Sequence, residues 1–140
     1  MPLDLSALRD ALAALDRSLG YLHSDFAKDV GLREQFRAAS IQAFEFTYEV
    51  AFKMLKRQLE AMAGTPSAVD EMTFMQVVRA GAEAGLVLDV GRFQDYRGKR
   101  NITSHTYDQA KAEEIVAVLR DFASDVRFLL AELERRNLND

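Results

Sequence analysis

Leu5, Leu8, Leu12, Leu15, Leu19 and Leu22 follow one another in alternating steps of three and four. That spacing puts all six on one stripe of an α-helix, with Arg9, Asp10, Asp16 and Arg17 off it. With only two prolines and seven glycines in 140 residues there is little punctuation for a many-stranded sheet. Such a chain is pushed towards helices packed through apolar faces. The stripe could also be a coiled-coil seam, but it spans three heptads with few matched flanking charges, which favours one side of a bundle.

The same periodicity recurs down the chain. A second helix is predicted from about Leu32 to Met62, with Phe36, Ala39, Ala43, Phe46, Val50 and Met54 as its stripe. Phe44, Ala51, Phe52, Leu55 and Leu59 flank that stripe, so the helix needs neighbours on two sides. Ala63-Gly64-Thr65-Pro66-Ser67 ends it, glycine as C-cap and proline as barrier. A third helix, about Ala68 to Ala84, uses Met72, Met75, Val78 and Ala82 and stops at Gly85. Leu86-Val87-Leu88 reads equally as a strand or a core link. Asp89 caps a fourth helix towards Arg100, weakened by Gly91 and Gly98. The last helix starts at a capping box, Thr106 with Gln109, and carries Ile115, Leu119, Phe122, Val126, Leu129 and Leu133 to about Arg136. The fold class is therefore all-α: one domain, residues 1–140, an antiparallel bundle of four to five helices.

Several functions are excluded by what is missing. Without cysteine there are no disulfides, thiolate zinc sites or cysteine nucleophiles. Two histidines, His23 and His105, give poor metal ligation, so neither a metal nor another cofactor is expected. Gly81 and Gly85 lack the lysine and the strand context of a phosphate loop. The N-terminus has no signal-peptide pattern, and no apolar run approaches the ~20 residues of a membrane span. A cytoplasmic protein with no membrane partner is expected. Adjacent Glu113 and Glu114 point in different directions on a helix and read as solvated surface. His23 reads as a partly exposed residue at a helix end.

The net charge of −4 opposes whole-surface attraction to nucleic acid. Arg92, Arg97, Lys99 and Arg100 against Asp95 alone nevertheless give a local net charge of +3. This run leads into Arg100-Asn101-Ile102-Thr103-Ser104-His105-Thr106-Tyr107. If Asn101 to His105 form a turn, His105 and Tyr107 sit at a helix N-terminus, where free N–H groups attract anions. Arg100 adds a guanidinium able to grip a phosphate, and histidine is suited to proton transfer near neutral pH. With Asn101, Thr103 and Ser104 these are sufficient parts for RNA cleavage by attack of a ribose 2′-OH on its own phosphate. A histidine in a turn can equally be a capping or solvated residue. Phe44, Phe46, Tyr48 and Phe52 recur at helical spacing and read as core and dimer packing.

Gln42 to Lys56, QAFEFTYEVAFKMLK, followed by Arg100 to Tyr107, RNITSHTY, closely resembles the nucleotidyltransferase substrate-binding family, part of the HEPN class of helical bundles. The resemblance spans essentially the whole chain. The second motif is the more specific, holding the HEPN pattern of Arg and His with four residues between, plus His-x-Tyr. Phe52 stands where tryptophan is expected, and Gly98 lies just before the motif. The resemblance implies a homodimer, in which two Arg/His segments face each other, and a minimal nucleotidyltransferase partner. In many such proteins the composite cleft is a ribonuclease, with RNA as the bound partner, in a toxin and antitoxin pair. Carried over, Arg100 and His105 would be catalytic, Asn101 their polar helper and Tyr107 the acceptor of an adenylyl group. The alternatives are a non-catalytic subunit that presents a substrate to the nucleotidyltransferase, and a purely structural helical dimer.

Overall fold

The computed structural model describes residues 2–138. Seven α-helices run along them with no strand among the described residues: α1 Ser6–Leu22, α2 Val30–Met62, α3 Pro66–Asp70, α4 Phe74–Glu83, α5 Val90–Asn101, α6 Gln109–Val116 and α7 Leu119–Arg136. Single 3-10 turns at Asp25–Lys28 and Thr103–His105 join them. The antiparallel all-helical bundle expected from periodicity is present, with more helices because two of the expected ones are broken.

Helix α2 is the spine. Its 33 residues extend roughly 50 Å at 1.5 Å per residue. Asp29 starts it by accepting Leu32 N–H at 2.9 Å. All six leucines of the first stripe are buried, and α1 lies against α2 and α7. On α2 the assigned stripe needs correction. The buried face is Ser40, Ile41, Phe44, Thr47, Ala51, Met54, Leu55, Gln58 and Leu59, whereas Phe46 is 55% exposed. Thr47 Oγ1 donates to the Ala43 carbonyl at 2.7 Å, a bond that makes a polar residue acceptable in the core. Apolar residues all round a long helix left its phase open, and three polar residues inside the true face, Ser40, Thr47 and Gln58, disguised it.

Two helix breaks depart from expectation. The third helix divides at Glu71-Met72-Thr73, because Thr73 and Gln76 form a reciprocal capping box that starts α4. Thr106 and Gln109 have the same spacing, yet α6 starts at Gln109 on Asp108, whose carboxylate accepts from Ala110 and Lys111 N–H. A carboxylate beside the first free N–H groups displaces the expected hydroxyl cap. The last helix also divides at Ala117 and Val118, where neither glycine nor proline marks the break. Gly85 takes φ +79° as the C-cap residue expected there, while Gly64 does not adopt the left-handed conformation. Leu86 and Val87 form a buried core link, not a strand.

The core closes over aromatic edges. Phe122 of α7 meets Phe44 at 4.8 Å and Tyr96 at 5.1 Å between ring centroids. Behind them Asp125, with 3% of its side chain exposed, accepts from Arg92 Nε at 2.8 Å, Arg92 Nη2 at 2.7 Å and Tyr96 Oη at 2.5 Å. Burial, then the bond to Asp125, pushes the Tyr96 phenol far above its ordinary range. These bonds clamp α5 to α7. Asp125→Ala would strand a buried phenol and loosen a guanidinium; because Arg92 is 42% exposed, the expected loss is about 2 kcal/mol, below that of a fully buried pair. Urea unfolding of the variant measures it.

Candidate functional site

The four singled-out residues lie at the junction between α5 and α6. Arg100 and Asn101 occupy the last turn of α5, His105 ends the 3-10 turn Thr103–His105, and Tyr107 lies in the turn before Asp108. His105 and Tyr107 thus precede the N-terminus of α6 and do not form it. The chain is folded back tightly here: His105 N–H bonds the Ile102 carbonyl at 3.0 Å, and Asp108 N–H bonds the His105 carbonyl at 3.1 Å. The imidazole and phenol rings meet edge to face at 6.1 Å. Asn101 and His105 are exposed, and Tyr107 is 84% exposed.

Arg100 is held from two sides. Its Nη2 donates to Glu49 Oε1 at 2.7 Å, and its Nη1 donates to Thr103 Oγ1 at 3.2 Å and lies 3.6 Å from Glu45 Oε2. Buried Thr103 in turn donates to the Arg100 carbonyl at 2.8 Å. The Glu49 bond leads the causes that raise the guanidinium pKa above its ordinary value. Both terminal nitrogens are therefore occupied in the monomer. A phosphate would have to replace Glu49, whose side chain is 58% exposed, and that costs little at a solvated pair.

The basic run is also less free than its sequence indicates. Arg92 turns inward to Asp125, Lys99 pairs with Asp95 at 2.8 Å, and Arg97 lies 4.7 Å over the Phe74 ring. Glu45 and Glu49, which received no role from sequence, are the residues that orient Arg100. Their signal was two carboxylates four apart on one helix face. Among the described residues no cluster of three or more histidines, aspartates or glutamates is placed to hold a metal ion. A surface depression of about 540 Å³ between α3 and α4 contains none of the four site residues.

Glu113 corrects a second expectation. It is half-buried and accepts from Arg33 at 2.8 and 2.9 Å and from Arg37 at 3.0 Å, whereas Glu114 is exposed as expected. The Arg33 bonds, then Arg37, hold its pKa at about 2 against an ordinary 4.5. These pairs fasten α6, and with it the site turn, to the start of α2. A depressed carboxyl pKa stabilises the fold fully above pH 4.5, and this contribution fades as the pH falls towards 2. Urea unfolding across that window should show the wild type losing stability more steeply than Glu113→Gln; parallel curves would exclude this fastening.

Residues 3–135 match the model of the family described as nucleotidyltransferase substrate binding protein like. The chain is 43% identical over 103 residues to a Haemophilus influenzae protein named probable ribonuclease HepT, covering 74% of this chain and 70% of that one. A solved Haemophilus influenzae structure, whose fold is described as that of a substrate binding domain of a nucleotidyltransferase, superposes with a TM-score of 0.89 at 34% identity. That match covers 94% of this chain and 99% of the other. No helix among the described residues is long and apolar enough to cross a membrane. In family model, sequence relative and fold alike, the chain belongs to the nucleotidyltransferase substrate-binding family.

Proposed function

We propose that this chain is a single-domain, cytoplasmic HEPN-type partner of a minimal nucleotidyltransferase, and that it acts as a metal-independent endoribonuclease toxin whose activity the nucleotidyltransferase switches off. The observation that carries the reading is the placing of Arg100 and Asn101 in the last turn of α5, with exposed His105 and Tyr107 in the turns that directly follow it around buried Thr103. The relative named probable ribonuclease HepT supports it.

In this mechanism His105 moves the proton between the 2′-OH and the leaving 5′-oxygen, and Arg100 stabilises the crowded phosphorane. Asn101 adds a neutral hydrogen-bonding group beside them. One copy supplies one histidine and one arginine, so separate acid and base require a second copy facing the first. Phe46, exposed on α2 next to Glu49, offers an apolar surface for that copy. A homodimer is expected on sedimentation, and Phe46→Glu should shift it to monomer and lower RNA cleavage. A wild-type monomer at tens of micromolar, roughly the range where obligate dimers persist, would contradict this arrangement. The second reading, a subunit that only presents substrate, is favoured by the description of the solved relative's fold. Purifying the chain alone and with its nucleotidyltransferase, then assaying RNA cleavage, separates the two readings.

A further inference from the structure

The C-terminal half of α1 carries a surface that the Arg100 turn does not use. A groove of about 240 Å³ between α1 and α7 is lined by Asp16, Gly20, His23, Arg120 and Arg127, among others. Gly20 also borders a second depression, about 300 Å³, formed with Arg17, Tyr21 and Phe26. A Cβ on Gly20 would meet nothing within 4 Å, so the passage between the two is open.

The first depression is cationic and the second aromatic. Arg127 is paired with Asp16 at 2.7 Å, but neither Arg17 nor Arg120 makes an ion pair among the described residues. His23 and Arg120 line the same groove, and burial, then the guanidiniums of Arg120 and Arg33, hold the His23 pKa below its ordinary value. Arg33 is already neutralised by Glu113. Arg120 has no such counterion, and an incoming phosphate would supply one. Beside it Tyr21 is 46% and Phe26 63% exposed. Tyr21 is held in place by stacking on Phe36 at 5.3 Å with an 18° interplanar angle, so its free face is presented already oriented.

We propose that this groove and its aromatic ledge bind single-stranded RNA outside the Arg100 turn, with phosphate at Arg120 and His23 and bases against Tyr21 and Phe26. The proposal deepens the ribonuclease reading by assigning a substrate-holding surface. Unpaired cations next to exposed rings are what single-strand binding requires, since the phosphate gives the charge term and every base has a face to stack. In a protein of net charge −4 such a contact has to be local.

The test is fluorescence anisotropy of the full chain with a short labelled 2′-O-methyl oligonucleotide, which binds like RNA but cannot be cut. Arg120→Gln should weaken binding and reduce the log–log salt slope by about 0.7, the single-strand value for one phosphate contact. Phe26→Ala should cost about fivefold or more in affinity. Gly20→Glu sits in open space on a helix, so it keeps the fold while placing a carboxylate between the depressions, and should weaken binding most. If all three folded variants bind like the wild type, the groove is not an RNA surface. If the wild type never cuts RNA but the three variants still lose oligonucleotide binding, the groove stands and the ribonuclease reading fails.

Discussion

His105→Ala is expected to lower RNA cleavage by about 10²-fold or more, the usual scale for losing an acid–base group, with the fold intact. The imidazole is exposed and its surroundings are held by backbone bonds, through His105 N–H and carbonyl, which alanine keeps. Arg100→Ala should lose activity on the same scale, because a guanidinium on the phosphorane acts where charge develops. Its cost in stability is expected to be below about 1 kcal/mol, since the Glu49 pair it breaks is largely solvated. Arg100→Lys should not restore activity, because an ammonium cannot reproduce a forked contact with phosphate. Steady-state cleavage of a labelled RNA, with circular dichroism as the check on folding, measures all three. Wild-type rates in both alanine variants would remove the catalytic assignment.

Tyr107→Phe is expected to abolish modification by the partner nucleotidyltransferase while keeping RNA cleavage. In the proposed step the Tyr107 phenol oxygen attacks the α-phosphorus of ATP, pyrophosphate leaves, and the phenolic proton passes to a base on the partner. The ring is 84% exposed and 6.1 Å from the His105 ring, so an adduct would place a phosphate and an adenosine over the imidazole. The phosphate could compete with Glu49 for Arg100, and the nucleoside would exclude RNA by volume. Intact mass after incubation with the partner, ATP and Mg²⁺ should rise by one or more AMP units in the wild type and stay unchanged in the variant. An unchanged wild-type mass, or an equal rise in the Phe variant, would reject Tyr107 as acceptor.

Much of the fold could be read from periodicity, and its failures have local causes. The stripe of α1 and the Ile115-to-Leu133 stripe were legible because polar residues bracket them, and every residue of both is buried. Helix α2 was not, because apolar residues on several faces allow more than one phase, and Ser40, Thr47 and Gln58 interrupt the true one. The expected Thr106–Gln109 box gave way to Asp108, which competes for the same N–H groups. At the site, Arg100, Asn101, His105 and Tyr107 were found from one contiguous motif. The carboxylates that orient Arg100 come from 51 and 55 positions earlier, and only the fold brings them near. The pairing of Arg92 with Asp125 was hidden for the same reason, so a run that is basic in sequence is largely neutralised in space.

An unmodified Arg100–His105 turn is expected to cleave RNA without metal. The most direct test is to purify the chain free of its partner, confirm by intact mass that Tyr107 carries no adduct, and incubate it with RNA in excess EDTA. Cleavage leaving 2′,3′-cyclic phosphate and 5′-hydroxyl ends is expected, and it should be lost after treatment with the nucleotidyltransferase and ATP–Mg²⁺. Intact RNA after incubation with the unmodified dimer, or cleavage that EDTA abolishes, would contradict it.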